Sequence, residues 1–305
     1  MNQSNSSSIE KWKSSGQFFN YKGQRIFYQV EGSKDLPALL LIHGYPSASW
    51  DWHLQWPTLI QHFQVITLDM LGFGYSDKPA RFKKSSSVQY SIHTQADIFS
   101  ALLNKLTISQ VHVLSHDYGD TVAQELLARS QNKEKSAIKL LSLCLLNGGL
   151  FPETHQALLL QKLLLSPVGP LIARLTNYKK FKNNFDHICA VPLSEGELKT
   201  LWSFIEFNDG KPILAKLIGY MKERKQYRER WVGALQKNDI AIRLIDGLQD
   251  PISGAHMVKR YRELIKSADV IELEGVGHYP QLEAPEKVLE SFLNFHSIPN
   301  TNINQ

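Results

Sequence analysis

The sequence predicts an α/β layered domain, a mostly parallel sheet with helices on both faces, interrupted by a helical insert. Short, near-continuous apolar runs ending in Gly-rich turns recur at 38–46, 65–74, 111–119 and 139–149. Such runs suit strands buried on both faces of a parallel sheet. Helical patterns lie between them, most clearly at 91–106 and 121–130, and alternation of this kind implies stacked layers. After Asn147 the alternation stops, and 155–237 carry helical signals without a convincing strand.

Taken in order, residues 1–16 are polar, Ser/Asn-rich and read as a frayed tail without an apolar signal-peptide core. Residues 17–31 read as a hairpin turning at Lys22-Gly23. In the insert, Ser194 and Glu197 have capping-box spacing at the head of a helix over 194–207. The leucine-heavy stretch 156–175 is expected to pack the insert's core, and the charged run 222–230 to form a solvated helix face. The β/α rhythm resumes at 240–251, 256–267, 268–280 and 285–296, and PNTNINQ closes the chain as a second frayed tail. The division expected is therefore core at 16–149, helical cap at 150–236 and core again at 237–298.

Composition narrows the function classes. A net charge of +5 is mild, and its Lys and Arg are dispersed, whereas a nucleic-acid surface needs a dense basic stripe. Two cysteines, Cys144 and Cys189, make no disulfide or metal framework. No apolar run reaches the ~18 residues of a membrane span, so a cytoplasmic protein without a transmembrane segment is expected. A homodimer is left open.

The chemistry gathers at VLSHDYGDTVAQELL (113–127), where a strand runs into a helix through Ser115-His116-Asp117-Tyr118-Gly119. Small residues two before and two after the tip are what a sharp strand-to-helix elbow needs, and Asp117 holds the tip where G-x-S-x-G holds serine. A helix N-terminus favours an anion there. The alternative is that Asp117 only N-caps the helix. Three further motifs weigh against capping alone. In His43-Gly44-Tyr45-Pro46 the Tyr45 N–H, together with the Tyr118 N–H, can form an oxyanion hole. In Gly247-Leu248-Gln249-Asp250-Pro251, Asp250 can orient a histidine, with Asp246 as its competitor. In Gly277-His278-Tyr279-Pro280, His278 follows at the next strand–loop junction. Nucleophile, acid, histidine is the hydrolase chain order.

With HGYP, DMLGFGYSDKP (69–79), SHDYGD, GLQDP and GHYPQLEAPE, the chain resembles the α/β-hydrolase superfamily over nearly its whole length. Its aspartate nucleophile and helical cap are similar to those of epoxide hydrolases and haloalkane dehalogenases. SHDYGDTVAQELL, NGGLFPETH, RWVGAL and HYPQLE resemble the mesoderm-specific transcript branch of that group. The resemblance implies an α/β-hydrolase fold and a triad Asp117–His278–Asp250. It also implies that Tyr220, in YMKERKQYRERW, matches the ring-opening cap tyrosine of epoxide hydrolases. Tyr178 is the one candidate for a second cap tyrosine. Haloalkane dehalogenases typically place a Trp after the nucleophile; Tyr118 stands there instead, and Asn147 stands where some of them keep their acid.

An ionised Asp needs no deprotonation and attacks saturated carbon directly, giving an alkyl–enzyme ester. Epoxide hydrolysis to a diol is therefore the expected activity, with no metal and no organic cofactor. Haloalkane or haloacid dehalogenation, esterase or lactonase activity, and a non-catalytic binding protein are the alternatives. His43, Trp202 and Trp231, with Phe204 and the leucines of 158–165, are expected to line a pocket for a small apolar substrate.

Overall fold

The structure, a computed structural model, describes residues 3–80, 89–132, 138–237 and 239–299. Its strands are β1 (Gln17–Tyr21), β2 (Gln24–Glu31), β3 (Ala38–Ile42), β4 (Gln64–Leu68), β5 (Gln110–His116), β6 (Lys139–Leu146), β7 (Ala241–Gly247) and β8 (Asp269–Leu273). They form one eight-stranded sheet in the order β1-β2-β4-β3-β5-β6-β7-β8. β1 pairs antiparallel with β2, and β2 with β4; every other neighbour is parallel. The apolar runs read from the sequence become central strands: every residue of β4 is buried, and all of β3 after Ala38. In the hairpin turn, Lys22 and Gly23 both take positive φ, 49° and 87°, as a tight two-residue turn between twisted strands requires.

The helices before β6 are α1 (Gln3–Ser15), α2 (Trp56–His62), α3 (Ile92–Lys105) and α4 (Tyr118–Ser130). Between β6 and β7 the described residues hold helices and no strand: α5 (Leu159–Leu164), α6 (Gly169–Arg174), α7 (Tyr178–Ile188), α8 (Glu195–Glu206), α9 (Leu214–Leu217), α10 (Tyr220–Gln226) and α11 (Arg228–Gln236). Then follow α12 (Ala255–Leu264), α13 (Pro280–Glu283) and α14 (Pro285–Phe295). Ser194 caps α8 by accepting the Glu197 N–H at 3.1 Å. The Glu197 carboxylate accepts from Trp50 Nε1 at 2.8 Å, so the residue meant to close the capping box ties the helical segment to the sheet domain.

Three expectations need correction. The polar N-terminus is helical, because Trp12 gives α1 an anchor: it is buried edge-on against Trp50 and Trp56, with ring centroids 5.5 and 5.1 Å away. The leucine-rich stretch 156–175 is not all core. Leu159, Val168, Leu171 and Leu175 are more than half exposed, because α5 and α6 are single short helices that bury one side only. The run 222–230 is not wholly solvated either; Arg224 is buried. The C-terminal tail from 300 onward lies outside the described residues. Among the described residues no helix is long and apolar enough to cross a membrane.

Removing the Trp12 indole leaves a void against the Trp50 and Trp56 rings. Trp12→Ala should lower the unfolding free energy by about 3 kcal/mol, the lower end for an aromatic truncation, measured as a drop in the urea midpoint at constant m-value.

Candidate active site

The site is built at the β5–α4 elbow. Asp117 sits there with φ 46° and ψ −106°, a backbone conformation that costs an L-residue on the order of 1–3 kcal/mol. Its neighbours explain why the flanking residues are small. A Cβ on Gly119 would lie 2.6 Å from the Ile42 carbonyl oxygen, and the Ser115 hydroxyl donates to Asp120 Oδ1 at 2.6 Å. The Asp117 side chain makes no capping hydrogen bond to α4. Its Oδ2 instead accepts the Tyr45 N–H at 3.2 Å and lies 4.0 Å from His278 Nε2.

His278 follows β8 and donates through Nδ1 to Asp250 Oδ2 at 2.7 Å. Asp250, after β7, is held from several sides. Oδ2 also accepts from Ser253 Oγ at 2.8 Å and from Asn147 Nδ2 at 3.1 Å, while Oδ1 accepts the Ile252 N–H at 2.7 Å. Asp246 is buried with no hydrogen-bond partner on either oxygen, and burial pushes its pKa well above the usual carboxylate range. Beside Asp117, Arg224 reaches down from α10. Its Nε donates to Thr121 Oγ1 at 2.7 Å and its Nη2 to the Asp117 carbonyl at 3.1 Å, and Nη2 lies 3.7 Å from Asp117 Oδ1.

These charges set one another's protonation. Burial pulls the His278 pKa down, but the charge and hydrogen bond of Asp250 and the charge of Asp117 outweigh it and raise it to about 9. Burial pushes Asp117 up, and the charges of His278 and Arg224 with the Tyr45 N–H hold it below the usual carboxylate range. Asp250 is likewise held low against burial, chiefly by His278. Tyr220, at the head of α10, is buried with its ring 4.7 Å from that of Tyr118 and 6.4 Å from that of Tyr45. Burial and the Asp117 charge raise its pKa, so its phenol keeps its proton.

Above Asp117, Tyr45 and His278 lies a cavity of about 60 Å³, closed by aliphatic and aromatic residues of the helical segment that include Leu158, Leu164, Phe181 and Leu214. Of the leucines of 158–165, Leu158, Leu160 and Leu164 line it and the others do not; Phe204 packs instead on Tyr75, with ring centroids 5.2 Å apart, and His43, Trp202 and Trp231 also lie outside it. His43 is buried behind it, accepting the Met70 N–H at 3.0 Å and donating to the Gly44 carbonyl at 2.8 Å. Trp202 stands behind Phe181, with ring centroids 5.4 Å apart. Trp231 packs on α4, its indole donating to Glu125 at 2.8 Å. Tyr178 lines no part of it; its hydroxyl lies toward Glu195. The Tyr118 phenol points toward Gln95 and Glu223, leaving its backbone N–H as what it can offer the site. Arg224 and Ser253 were missed. The signal for Arg224 was there: it stands four residues after Tyr220, on the same helix face.

A family model for the alpha/beta hydrolase fold matches residues 37–285. The mesoderm-specific transcript homolog protein of Bos taurus is 43% identical over 303 residues, covering 95% of this chain and 88% of that protein. A haloalkane dehalogenase DbeA-M1 loop variant from Bradyrhizobium elkanii superposes with TM-score 0.76 at 20% identity, over 93% of this chain and 97% of that one. The ligand-free epoxide hydrolase CorEH superposes with TM-score 0.73 at 20% identity, over 92% and 98%. At that identity the two structures are alike in fold alone.

Because Asp117 helps hold the proton on His278, Asp117→Asn should move the imidazole titration downward from about 9. ¹⁵N-detected NMR across pH 5–10 reads this directly; an unchanged midpoint would mean that Asp117 and His278 do not share a field.

Proposed function

This chain belongs to the α/β-hydrolase fold family, and on that premise we propose that it is a hydrolase whose nucleophile is Asp117, working through an alkyl–enzyme ester, with epoxides as substrates. One observation carries the reading: an ionised carboxylate at a strained elbow, free of any capping bond, faces a mainly apolar cavity with His278 Nε2 4.0 Å away.

In this scheme Asp117 Oδ1 or Oδ2 attacks a ring carbon and the carbon–oxygen bond of the epoxide breaks. The departing oxygen takes the Tyr220 proton, which a phenol still carries at neutral pH. Esterification removes the Asp117 charge, and with it part of what raises the His278 pKa. The imidazolium then gives its proton, through solvent, to the Tyr220 phenolate, and the neutral imidazole can act as a base at neutral pH. Water attacks the ester carbonyl and gives its proton to His278, which Asp250 orients. The Tyr45 and Tyr118 N–H groups stabilise the oxyanion. The ester bond to the product breaks, the diol leaves, and Asp117 returns as carboxylate. Asn147 and Ser253 act as positioning residues through Asp250. The segment α5–α11 is the cap that keeps bulk water from the ester. Carbon–halogen cleavage is the second reading, because Asn184, whose side chain carries an amide donor, is among the residues lining the cavity.

His278→Gln removes the base of the second step and leaves Arg224 to hold Asp117 ionised for the first. With an epoxide substrate it should accumulate enzyme heavier by the mass of that epoxide, mapped to Asp117 by peptide mass spectrometry; free turnover without adduct would contradict the scheme. Tyr220→Phe should lower epoxide turnover by about 10²–10⁴-fold, the usual value of a general acid, while leaving any halide release largely intact.

A further inference from the structure

Arg224 has a second side that the scheme above does not use. Its Nη1 is buried with no hydrogen-bond partner, on a side chain that is 3% exposed. Leaving a buried guanidinium donor unmet is costly. Next to it, both ring nitrogens of His155 are also buried and unpartnered. The two groups face one point above Gly149: a Cβ built there would collide with Arg224 Nη1 and lie 2.8 Å from His155 Nδ1. A larger residue at 149 would have to displace both groups from their present positions.

Both groups line a recess of about 310 Å³, separate from the cavity over Asp117. One part of its wall is cationic, with Lys162, Lys222 and Lys225 joining Arg224; the other is apolar, with Ala157, Leu165 and Met221. Among the described residues no carboxylate lines it. A planar guanidinium edge beside an imidazole suits a carboxylate group, and the apolar part of the wall suits a short hydrocarbon body.

We propose that this recess is a binding site for a small organic carboxylate, held by Arg224 Nη1 and His155, and that Arg224 couples its occupancy to Asp117 through Nη2. The coupling runs both ways, as linkage requires. An anion on Nη1 competes with Asp117 for the guanidinium charge, and loss of the Asp117 charge frees that charge for the anion. During turnover the site is then tightest while Asp117 is esterified. The recess and its ligand do not depend on epoxide being the substrate.

Calorimetric titration of the full-length protein with butyrate tests the site, with inorganic phosphate and chloride at matched ionic strength as parallel probes. Saturable butyrate binding is expected. His155→Leu should weaken it by about tenfold, the effect of one hydrogen bond to a charged group. Lys222→Gln, an exposed change that leaves the fold alone, should weaken it several-fold. Asp117→Asn should tighten it by about tenfold. Absence of saturable butyrate binding, binding equal for all three anions, preference for phosphate, or indifference to both His155→Leu and Lys222→Gln would each overturn the assignment. Unchanged affinity in Asp117→Asn would overturn the coupling. Diol formation by the wild type is scored separately, so failure of the carboxylate site and failure of the epoxide reading are distinguishable.

Discussion

Two carboxylates, Asp117 and Asp250, stay ionised inside this protein because two cations are buried with them. An isolated buried charge costs several kcal/mol and would neutralise instead. Here His278 lies between the carboxylates and Arg224 flanks Asp117 from the other side. The contrast with Asp246 and Asp120 is instructive. Both are buried close by, lack a cation at bonding distance and are pushed well above the ordinary carboxylate range. Same residue type, same sheet end, opposite protonation: the difference is the partner.

That requirement reaches beyond the sheet. His278 comes from the loop after β8, Asp250 from the loop after β7, Asp117 from the elbow after β5, and Arg224 from α10 in the helical segment. The charge cluster therefore joins four separate stretches of chain. Arg224 also ties α10 to α4 through Thr121, so the helical segment is fastened beside Asp117 itself. Under the proposed scheme, the imidazole that is to accept a proton stays protonated until the carboxylate facing it is neutralised, which would place the two chemical steps in order.

Much of this was legible in the sequence. The sheet follows from apolar runs punctuated by Gly-rich turns, and the elbow from small residues at 115 and 119 around a tip aspartate. The pairing of His278 with Asp250 rather than Asp246 followed from loop position: Asp246 ends a strand, where the sheet buries it, and Asp250 lies beyond, where it can turn toward the histidine. What was not legible depended on tertiary packing. The apolar positions of 156–175 read as core, yet several face outward, because hydrophobicity does not say which side of a short helix meets a neighbour. Trp202 and Trp231 lie in the helical segment between β6 and β7, but one stands behind the cavity wall and the other binds Glu125 on α4. Arg224 was hidden inside a run of charges, every other residue of which faces solvent at least in part. Trp12 shows the reverse case, a single aromatic residue that turns a polar stretch into a docked helix.

The central claim is that an Asp117 oxygen, not an oxygen from water, forms the new bond to substrate carbon. A single turnover in ¹⁸O-water, with enzyme in excess over a simple epoxide, separates the two. The account predicts a diol without label at the attacked carbon and one ¹⁸O in the peptide carrying Asp117, both read by mass spectrometry. Label in the diol, with none in that peptide, would contradict it.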